Sequence, residues 1–377
     1  VADNVTSDNQ LSIIEGNERV LAARLEDALF FWKDDLSISL DDWVPKLKGL
    51  VYQKNVGSMY DKQKRLLQLF LYFKQHTVLS IDPDVLERLS VLMKVDLVSQ
   101  MVFEFPELQG VMGRFYALEA GEDTVIADAI QDHYQPLFYG GHLPQSELSC
   151  WASVADRLDH VVVSFYNGAK PTGSQDPLGL RRHLNCLLAI LCQLSCSFHF
   201  KQMISYSFSL LGDTAKHEAR LYEFLFLRLK SFLIDQGLRY DVAESVIHLA
   251  YENVSLAVKQ GHLIESYRNK DLTQFKQIVE TAVRVKRLAA KSETTICDCT
   301  LFSLDIERYA YQEFERVSQN DVSLESFFSL VSPLTTYFDD VLVMDNDLTL
   351  RQNKLAFLTQ VDRLYLQCAD FEKIVLD

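Results

Sequence analysis

The chain has 377 residues, of which 48% are hydrophobic, and it carries a formal net charge of −15 at pH 7. This length exceeds what one hydrophobic core usually supports, so the sequence predicts two or three domains. The acidic balance argues against a generally basic nucleic-acid coat. Any RNA contact must therefore come from local patches, and we expect no DNA partner.

Cysteine usage and hydropathy favour a cytoplasmic location. Seven cysteines are scattered without the paired spacing of a zinc ribbon or a disulfide framework, and Cys297 and Cys299 have no histidine nearby, so we predict no metal site. The most apolar run, at 184–196, is shorter than the roughly 20 residues of a membrane span, so we expect no membrane contact. The start, VADNVTSDNQ, lacks an initiating Met and the order of a signal peptide, which predicts a chain cut from a longer one.

Helical periodicity recurs along the chain. In GNERVLAARLEDALFFWKDDL, Asn17 can cap a helix whose apolar residues recur at helical spacing, namely Leu21, Leu25, Ala28 and Trp32. The same period occurs in KQKRLLQLFLYF, at 180–194, in EARLYEFLFLRLKSFL and in KLAFLTQVDRLYLQC. Alternating strand patterns are almost absent. The sequence therefore predicts an all-α, multidomain helical protein.

The stretch MVFEFPELQGVMGRFYA, residues 101–117, combines aromatic side chains with a proline and two glycines. Gly110 and Gly113 each cost a helix about 1 kcal/mol relative to alanine, so the local packing must require them. We expect Pro106 to end one helix and the glycines to let a second helix approach a neighbour closely. The gap between them is predicted to be filled by the three phenylalanines, Phe103, Phe105 and Phe115.

The common enzyme signatures are missing from the sequence: there is no glycine-rich phosphate loop, no G-x-S-x-G and no H-E-x-x-H. The remaining candidate is a metal-dependent phosphohydrolase of the HD type, whose helical domain holds its metal with a His, a His-Asp pair and a distal Asp. None of the nine histidines precedes an aspartate. An intact site of this type is therefore not present.

The skeleton of an HD domain is nevertheless visible. MYDKQKRLLQLF resembles its first ligand helix with Asp61 or Lys62 in place of the histidine, KVDLV offers Asp96 without its histidine, and SVADRLDHV supplies Asp156 as the distal acid. His133 resembles the extra histidine of one HD branch, although a buried, hydrogen-bonded helix residue explains it more simply. We predict an HD-like domain whose metal site is degenerate.

Five segments together resemble a known family. GNERVLAARLEDALFFWKDDL, VGSMYDK, MVFEFPELQGVMGRFYA, KPTGSQDPLGLRR and YFDDVLVMDNDLTLRQNKLAFL are similar, in this order, to segments of the beta subunit of bacterial glycyl-tRNA synthetase. The likeness runs nearly from end to end and is weakest at about 194–267. Segments of this length are far more specific than a short motif.

The resemblance implies a domain organisation. It implies an HD-like domain that meets the acceptor side of tRNA at 1–175, an intervening helical region at 176–265, and a helical bundle similar to anticodon-binding domains at 266–377. The stretch NGAKPTGSQDP, at 167–177, marks the first boundary by its proline and glycine content, and the polar stretch at 260–271 marks the second. The family's large N-terminal domain has no counterpart in the chain, which would then be the C-terminal portion of the subunit.

The resemblance also implies a function. The chain would recognise tRNA-Gly within glycine–tRNA ligase, while an alpha subunit, separate or fused, attaches glycine. ATP and Mg²⁺ would bind in the alpha subunit, so we expect no cofactor and no catalysis in this chain alone.

The candidate RNA contacts are basic side chains near the predicted C-terminal bundle. RVKRLAAK places Arg284, Arg287 and Lys291 at i, i+3 and i+7 on one helical face, beside Lys286. Such a stripe suits phosphate contact, and a solvated charged face explains it equally well until the resemblance is considered. Weaker candidates open the final helix and the intervening region, namely Arg351, Asn353 and Lys354, and the pair Arg181 and Arg182.

Two other functions stay open from the sequence. One is an active HD-type phosphohydrolase, which metal analysis and a nucleotidase assay would identify. The other is a helical scaffold without an RNA role, which would not distinguish tRNA-Gly from another tRNA in filter binding.

Overall fold

The protein is almost entirely helical, which confirms the predicted all-α class. A computed structural model describes residues 10–77, 80–171, 176, 178–194, 199–212, 215–320 and 322–376, without the side chains of 215 and 216. The first eight helices are α1 (Gln10–Asp35), α2 (Leu40–Trp43), α3 (Met59–His76), α4 (Pro83–Leu92), α5 (Gln100–Glu104), α6 (Val111–Glu119), α7 (Thr124–Asp132) and α8 (Glu147–Tyr166). The other nine are α9 (Leu180–Leu194), α10 (Phe200–Ser209), α11 (Ala215–Asp235), α12 (Tyr240–Ala250), α13 (Val254–Lys270), α14 (Leu272–Ala289), α15 (Asp305–Ser318), α16 (Leu324–Asp340) and α17 (Leu348–Leu366).

Short elements complete the described part of the chain. The antiparallel hairpin of β1 (Val51–Gln53) and β2 (Gly57–Ser58) precedes α3. Five short 3₁₀ helices span Val44–Gly49, Val95–Val98, Pro106–Leu108, Cys299–Leu301 and Phe371–Lys373. None of the described helices has the length and apolar character needed to cross a bilayer.

The chain packs as two compact units. Unit 1 comprises Val1–Ile190 and Met203–Leu221, and unit 2 comprises Leu191–Gln202 and Tyr222–Asp377. The division at 1–175, 176–265 and 266–377 stays a prediction. Its first boundary, in 167–177, falls partly on residues outside the described ones.

The core of unit 1 lies between α3 and α8. A capping box starts α3: the Ser58 side chain accepts a hydrogen bond from the Asp61 backbone N–H, and the Asp61 carboxylate accepts one from the Ser58 N–H. Phe73 on α3 then packs against Trp151 on α8, with ring centroids 4.9 Å apart. α8 is buried along most of its length because α3 and α7 both pack against it.

The core of unit 2 lies around α14, α16 and α17. The apolar face of α14 packs against both other helices. Tyr337 and Phe357 are fully buried with ring centroids 5.6 Å apart, and Phe338 is buried beside them. These three aromatic residues therefore belong to the core of unit 2.

In the stretch at 101–117, the predicted helix end and the predicted close packing at the glycines are confirmed, but the predicted burial of the phenylalanines is wrong. α5 ends at Glu104, just before Pro106, as predicted. Gly110 has φ of 78°, and a Cβ there would lie 2.5 Å from the Tyr134 ring. A Cβ at Gly113 would lie 2.7 Å from Ile130, so both glycines permit close packing of α6 on α7. The prediction of a phenylalanine-filled gap was wrong, because three aromatic residues are not buried there: Phe103 is 83% exposed, Phe115 is 46% exposed and Phe105 is half-buried.

α1 also differs from its predicted start. The helix runs from Gln10, so Asn17 lies inside it and is not its N-cap. The cost of Gly16 in a helix is about 1 kcal/mol, which is too little to end a helix whose flanking residues are helix formers. Most of α1 is exposed, including Leu21, Leu25 and Leu29.

Candidate functional site

Three of the positions that resemble HD-type ligands, Lys62, His133 and Asp156, lie in a buried network of polar and charged side chains in unit 1. Lys62 on α3 is 2% exposed, and its Nζ lies 3.0 Å from Asp156 Oδ1 and 3.0 Å from Asp159 Oδ2, both on α8. Lys94, which is 3% exposed, places its Nζ 3.1 Å from the same Asp156 oxygen. Two ammonium groups therefore share one carboxylate.

A second ion pair extends the network along the same two helices. Arg65 Nε donates to Asp159 Oδ1 at 2.6 Å, and its Nη2 donates to Oδ2 at 3.2 Å. Lys62 also donates to the Tyr52 hydroxyl at 3.2 Å. Burial raises the pKa of Tyr52, so this hydroxyl remains protonated and accepts from Lys62 through a lone pair. Each aspartate thus has two cationic partners.

The charges in this network shift the pKa values of its aspartates. Burial by itself would raise the pKa of Asp156, but Lys62 and Lys94 outweigh it and hold the pKa well below its usual range. The pKa of Asp159 is likewise lowered, because Lys62 and Arg65 outweigh the effect of its burial. Both carboxylates are therefore ionised at neutral pH.

His133 is part of the network as a neutral side chain. Its Nδ1 lies 2.7 Å from the Ile130 carbonyl, which can only accept, so Nδ1 carries the proton. Nε2 is then the acceptor for Lys94 Nζ at 2.7 Å. Burial and the charge of Lys94 both lower the pKa of His133 well below its usual value. This histidine is a buried, hydrogen-bonded residue.

The other two predicted positions have different surroundings. Asp96 is fully buried, and its Oδ2 accepts from the Gly110 N–H at 2.6 Å. Burial raises the pKa of Asp96. Asp61 faces the start of α3, where it caps the helix through Ser58. Lys62, and not Asp61, is the side chain of this pair that reaches Asp156.

These residues do not fit a divalent metal ion. A cation placed beside Asp156 would lie against the ammonium groups of Lys62 and Lys94, which already bind its carboxylate. A metal site needs deprotonated or neutral donors, and lysine ammonium groups are neither. Among the described residues, no three His, Cys, Asp or Glu side chains are grouped as metal ligands would be.

Three partners in this network were not predicted from the sequence: Arg65, Lys94 and Asp159. Two of them do have a sequence signal. Lys62 and Arg65 are spaced i, i+3 on α3, so both cations lie on one face of that helix. Asp156 and Asp159 have the same spacing on α8, so both acids lie on one face of α8. No local pattern indicates Lys94.

The predicted cationic stripe lies on α14 in unit 2. Val285 on the opposite face is fully buried, whereas Arg284 and Arg287 are exposed. Lys291 is also exposed, but it lies two residues beyond the last residue of the helix. Leu288 is half-buried. The stripe therefore has two cations on the last part of α14, Arg284 and Arg287, and a third, Lys291, just beyond the helix. The prediction that all three share one helical face was wrong for Lys291.

Two of the basic residues of this segment already have partners within the protein. Lys286 Nζ lies 2.6 Å from Asp370 Oδ1 and 3.1 Å from Glu372 Oε2, so its charge is neutralised locally. The guanidinium of Arg284 lies 4.3 Å from the centre of the Phe338 ring, and its Nη2 donates to the Phe338 carbonyl at 3.3 Å. This packing fixes the direction of Arg284 while leaving it exposed.

The weaker candidates have mostly structural surroundings. Asn353 and Lys354 are buried: Asn353 exchanges two hydrogen bonds with the Asp298 backbone, and Lys354 pairs with Asp345 at 2.9 Å. Arg351 is half-buried in the first turn of α17. At the start of α9, Arg182 is exposed and Arg181 is half-buried. The backbone N–H of Arg181 donates a hydrogen bond to the Asp176 carboxylate.

Comparisons with known proteins show the family of this chain. The family model described as glycyl-tRNA synthetase beta subunit matches residues 1–248. The glycine–tRNA ligase beta subunit of Syntrophotalea carbinolica is 35% identical over 98% of this chain and 56% of its own length. That of Clostridioides difficile is 36% identical over 96% of this chain and 54% of its own length. The chain thus spans about half the length of the curated relatives that it matches, and it belongs to the glycyl-tRNA synthetase beta subunit family.

Proposed function

We propose that this chain is a tRNA-recognition part of a glycine–tRNA ligase. In this proposal it binds tRNA-Gly, and an alpha subunit, separate or fused, attaches glycine with ATP and Mg²⁺. Membership of the beta subunit family supports the partner and the substrate. The HD-like and anticodon-binding domains implied by the resemblance are part of the same proposal.

The observation that carries the RNA-binding role is the exposed cationic stripe of Arg284, Arg287 and Lys291. It lies in a chain of net charge −15, which would otherwise repel RNA. α14 is anchored by its buried face, so the two arginines are held on a rigid support. Guanidinium groups bind phosphates in a bidentate manner, which suits contact with an RNA backbone.

The buried network in unit 1 disfavours the alternative of an HD-type phosphohydrolase. The carboxylate that would hold the metal is bound by Lys62 and Lys94, and His133 accepts a hydrogen bond from Lys94 through its remaining ring nitrogen. These side chains stabilise unit 1 and offer no open ligand position.

The test is tRNA binding by the variant Arg284→Ala/Arg287→Ala/Lys291→Ala. Each lost phosphate contact should reduce the slope of log affinity against log salt by roughly 0.7 to 0.9. A matched control is Lys33→Ala/Lys170→Ala/Lys270→Ala, which removes three exposed cations elsewhere. If the stripe variant is folded by circular dichroism and binds tRNA-Gly like the control, the stripe is only a solvated face.

A further inference from the structure

A lysine-rich concave surface surrounds the β1–β2 hairpin of unit 1. Its lining includes three lysines, Lys48 before the hairpin, Lys54 in its turn and Lys64 on α3, together with Tyr60. All three lysines are exposed. The turn that contains Lys54 requires unusual backbone angles, with φ of 67° at Asn55 and 112° at Gly57.

Tyr60 holds two of these lysines in place. Lys48 Nζ lies 4.8 Å and Lys64 Nζ lies 4.6 Å from the centre of its ring. Each ammonium is attracted by the ring quadrupole, so one aromatic side chain keeps two like charges close together. The two charges are thereby preorganised by contact with an aromatic ring.

The one acidic residue of this surface is directed elsewhere. Asp61 accepts hydrogen bonds from the Ser58 N–H and the Ser58 hydroxyl, both at 2.8 Å. These bonds lower the pKa of Asp61, with smaller contributions from the nearby charges of Lys64 and Arg65, and they tie its carboxylate to the first turn of α3. Within the described part of the chain, no ion pair joins Asp61 to Lys48, Lys54 or Lys64. The three exposed ammonium groups are therefore accessible to an external anion.

We propose that Lys48, Lys54 and Lys64 form a second RNA-binding surface, which contacts phosphates of the tRNA backbone. This inference rests on the proposed function and adds to it a site in unit 1, distinct from the stripe on α14 in unit 2. Ammonium groups act as point charges and suit phosphate contact, which positions an RNA without reading its sequence. The Tyr60 ring is already engaged by two ammonium groups, so the surface does not bind a base by stacking.

The experiment compares four proteins at several salt concentrations. They are the unmodified chain, the hairpin variant Lys48→Ala/Lys54→Ala/Lys64→Ala, the stripe variant Arg284→Ala/Arg287→Ala/Lys291→Ala, and the control variant Lys33→Ala/Lys170→Ala/Lys270→Ala. Binding of tRNA-Gly and of an unrelated tRNA is measured by fluorescence anisotropy, and folding is checked by circular dichroism. The control loses the same number of exposed cations as each test variant.

We expect the hairpin variant to bind both tRNAs roughly tenfold more weakly than the control, because three exposed charge contacts are each individually weak. Its salt slope should be shallower by roughly 2 to 3, since each phosphate contact contributes about 0.7 to 0.9. Equal weakening for both tRNAs would agree with backbone contact, whereas selective weakening for tRNA-Gly would overturn it.

The outcomes separate this inference from the function on which it rests. If the stripe variant loses affinity and the hairpin variant matches the control, the hairpin surface is refuted and the proposed function stands. If the unmodified chain binds neither tRNA, both proposals fail. If both test variants lose affinity, the chain contacts RNA through both units.

Discussion

Replacing Lys62 by methionine should destabilise unit 1 strongly, although no ligand contact is removed. Lys62 is 2% exposed and lies within 3.0 Å of both Asp156 and Asp159. Methionine fills nearly the same volume but cannot pair with either carboxylate. Removing one partner of a buried ion pair usually costs about 3 to 5 kcal/mol, because the remaining charge is left uncompensated.

The structure places the expected value near the lower end of that range. Asp156 keeps Lys94 at 3.1 Å, and Asp159 keeps Arg65 at 2.6 Å, so neither carboxylate loses all of its cationic partners. We therefore expect the free energy of unfolding of unit 1 to fall by about 3 kcal/mol. A double-mutant cycle with Asp159→Asn should show coupling of about 0.5 to 3 kcal/mol, as for residues that share a network.

Tryptophan fluorescence during urea unfolding would measure this effect in the right unit. All three tryptophans, Trp32, Trp43 and Trp151, lie in unit 1. The control is Lys33→Met, an exposed lysine on α1, which should change stability by less than about 0.5 kcal/mol. If Lys62→Met is as stable as this control, the ion pairs contribute no net stability and our account of the network is wrong.

Four further predictions concern pH, packing, metal content and activity. The pKa values of Asp156 and Asp159 are lowered in the folded protein, so the stability that these carboxylates contribute is complete above the pKa of an unfolded aspartate, about 4. This stability is lost as pH falls through the lower pKa values of the folded state. The melting temperature of Asp159→Asn should therefore depend less on pH below about 4 than that of the unmodified chain. Gly110→Ala should destabilise unit 1 by at least about 1 kcal/mol in the same fluorescence assay, since φ is positive and the added Cβ would meet the Tyr134 ring; an unchanged midpoint would contradict this. Elemental analysis of the purified protein should find no stoichiometric Mn, Fe or Zn, and one equivalent of any of them would revive the phosphohydrolase hypothesis. The chain alone should show no glycine-dependent ATP–pyrophosphate exchange, and measurable exchange would contradict the proposed division of labour.

The fold could be predicted from the sequence where one residue decides the local backbone. Pro106 ends α5, and the two glycines at 110 and 113 allow close packing, because both effects act within a few residues. The exposure of Phe103 and Phe115 could not be predicted in this way. Burial depends on which elements pack against a helix, and the presence of an aromatic side chain in the sequence does not indicate which elements these are.

The candidate site shows the same limit. The positions at 61, 62, 96 and 156 were found by resemblance, but the sequence could not decide whether Asp61 or Lys62 reaches the centre of the site. Adjacent helical residues point about 100° apart, so only one of them can face α8. The structure shows that Lys62 faces α8 while Asp61 caps α3. The polarity of Asn353 and the charge of Lys354 indicate possible RNA contacts. These properties do not reveal that Asn353 binds the Asp298 backbone and that Lys354 pairs with the Asp345 carboxylate.

The buried network can connect the elements of unit 1 in the way a metal ion connects its ligands. Lys62 comes from α3, Lys94 from the segment after α4, and both bind Asp156 on α8, so one carboxylate joins three separate parts of the chain. A carboxylate that binds two ammonium groups has the same electrostatic reason to be retained as one that binds a divalent cation: either way its buried charge is compensated. Asp156 is consequently a structural centre of unit 1, because Lys62 and Lys94 both bind its carboxylate. The exposed lysines proposed for RNA contact in unit 1, Lys48, Lys54 and Lys64, lie outside this network.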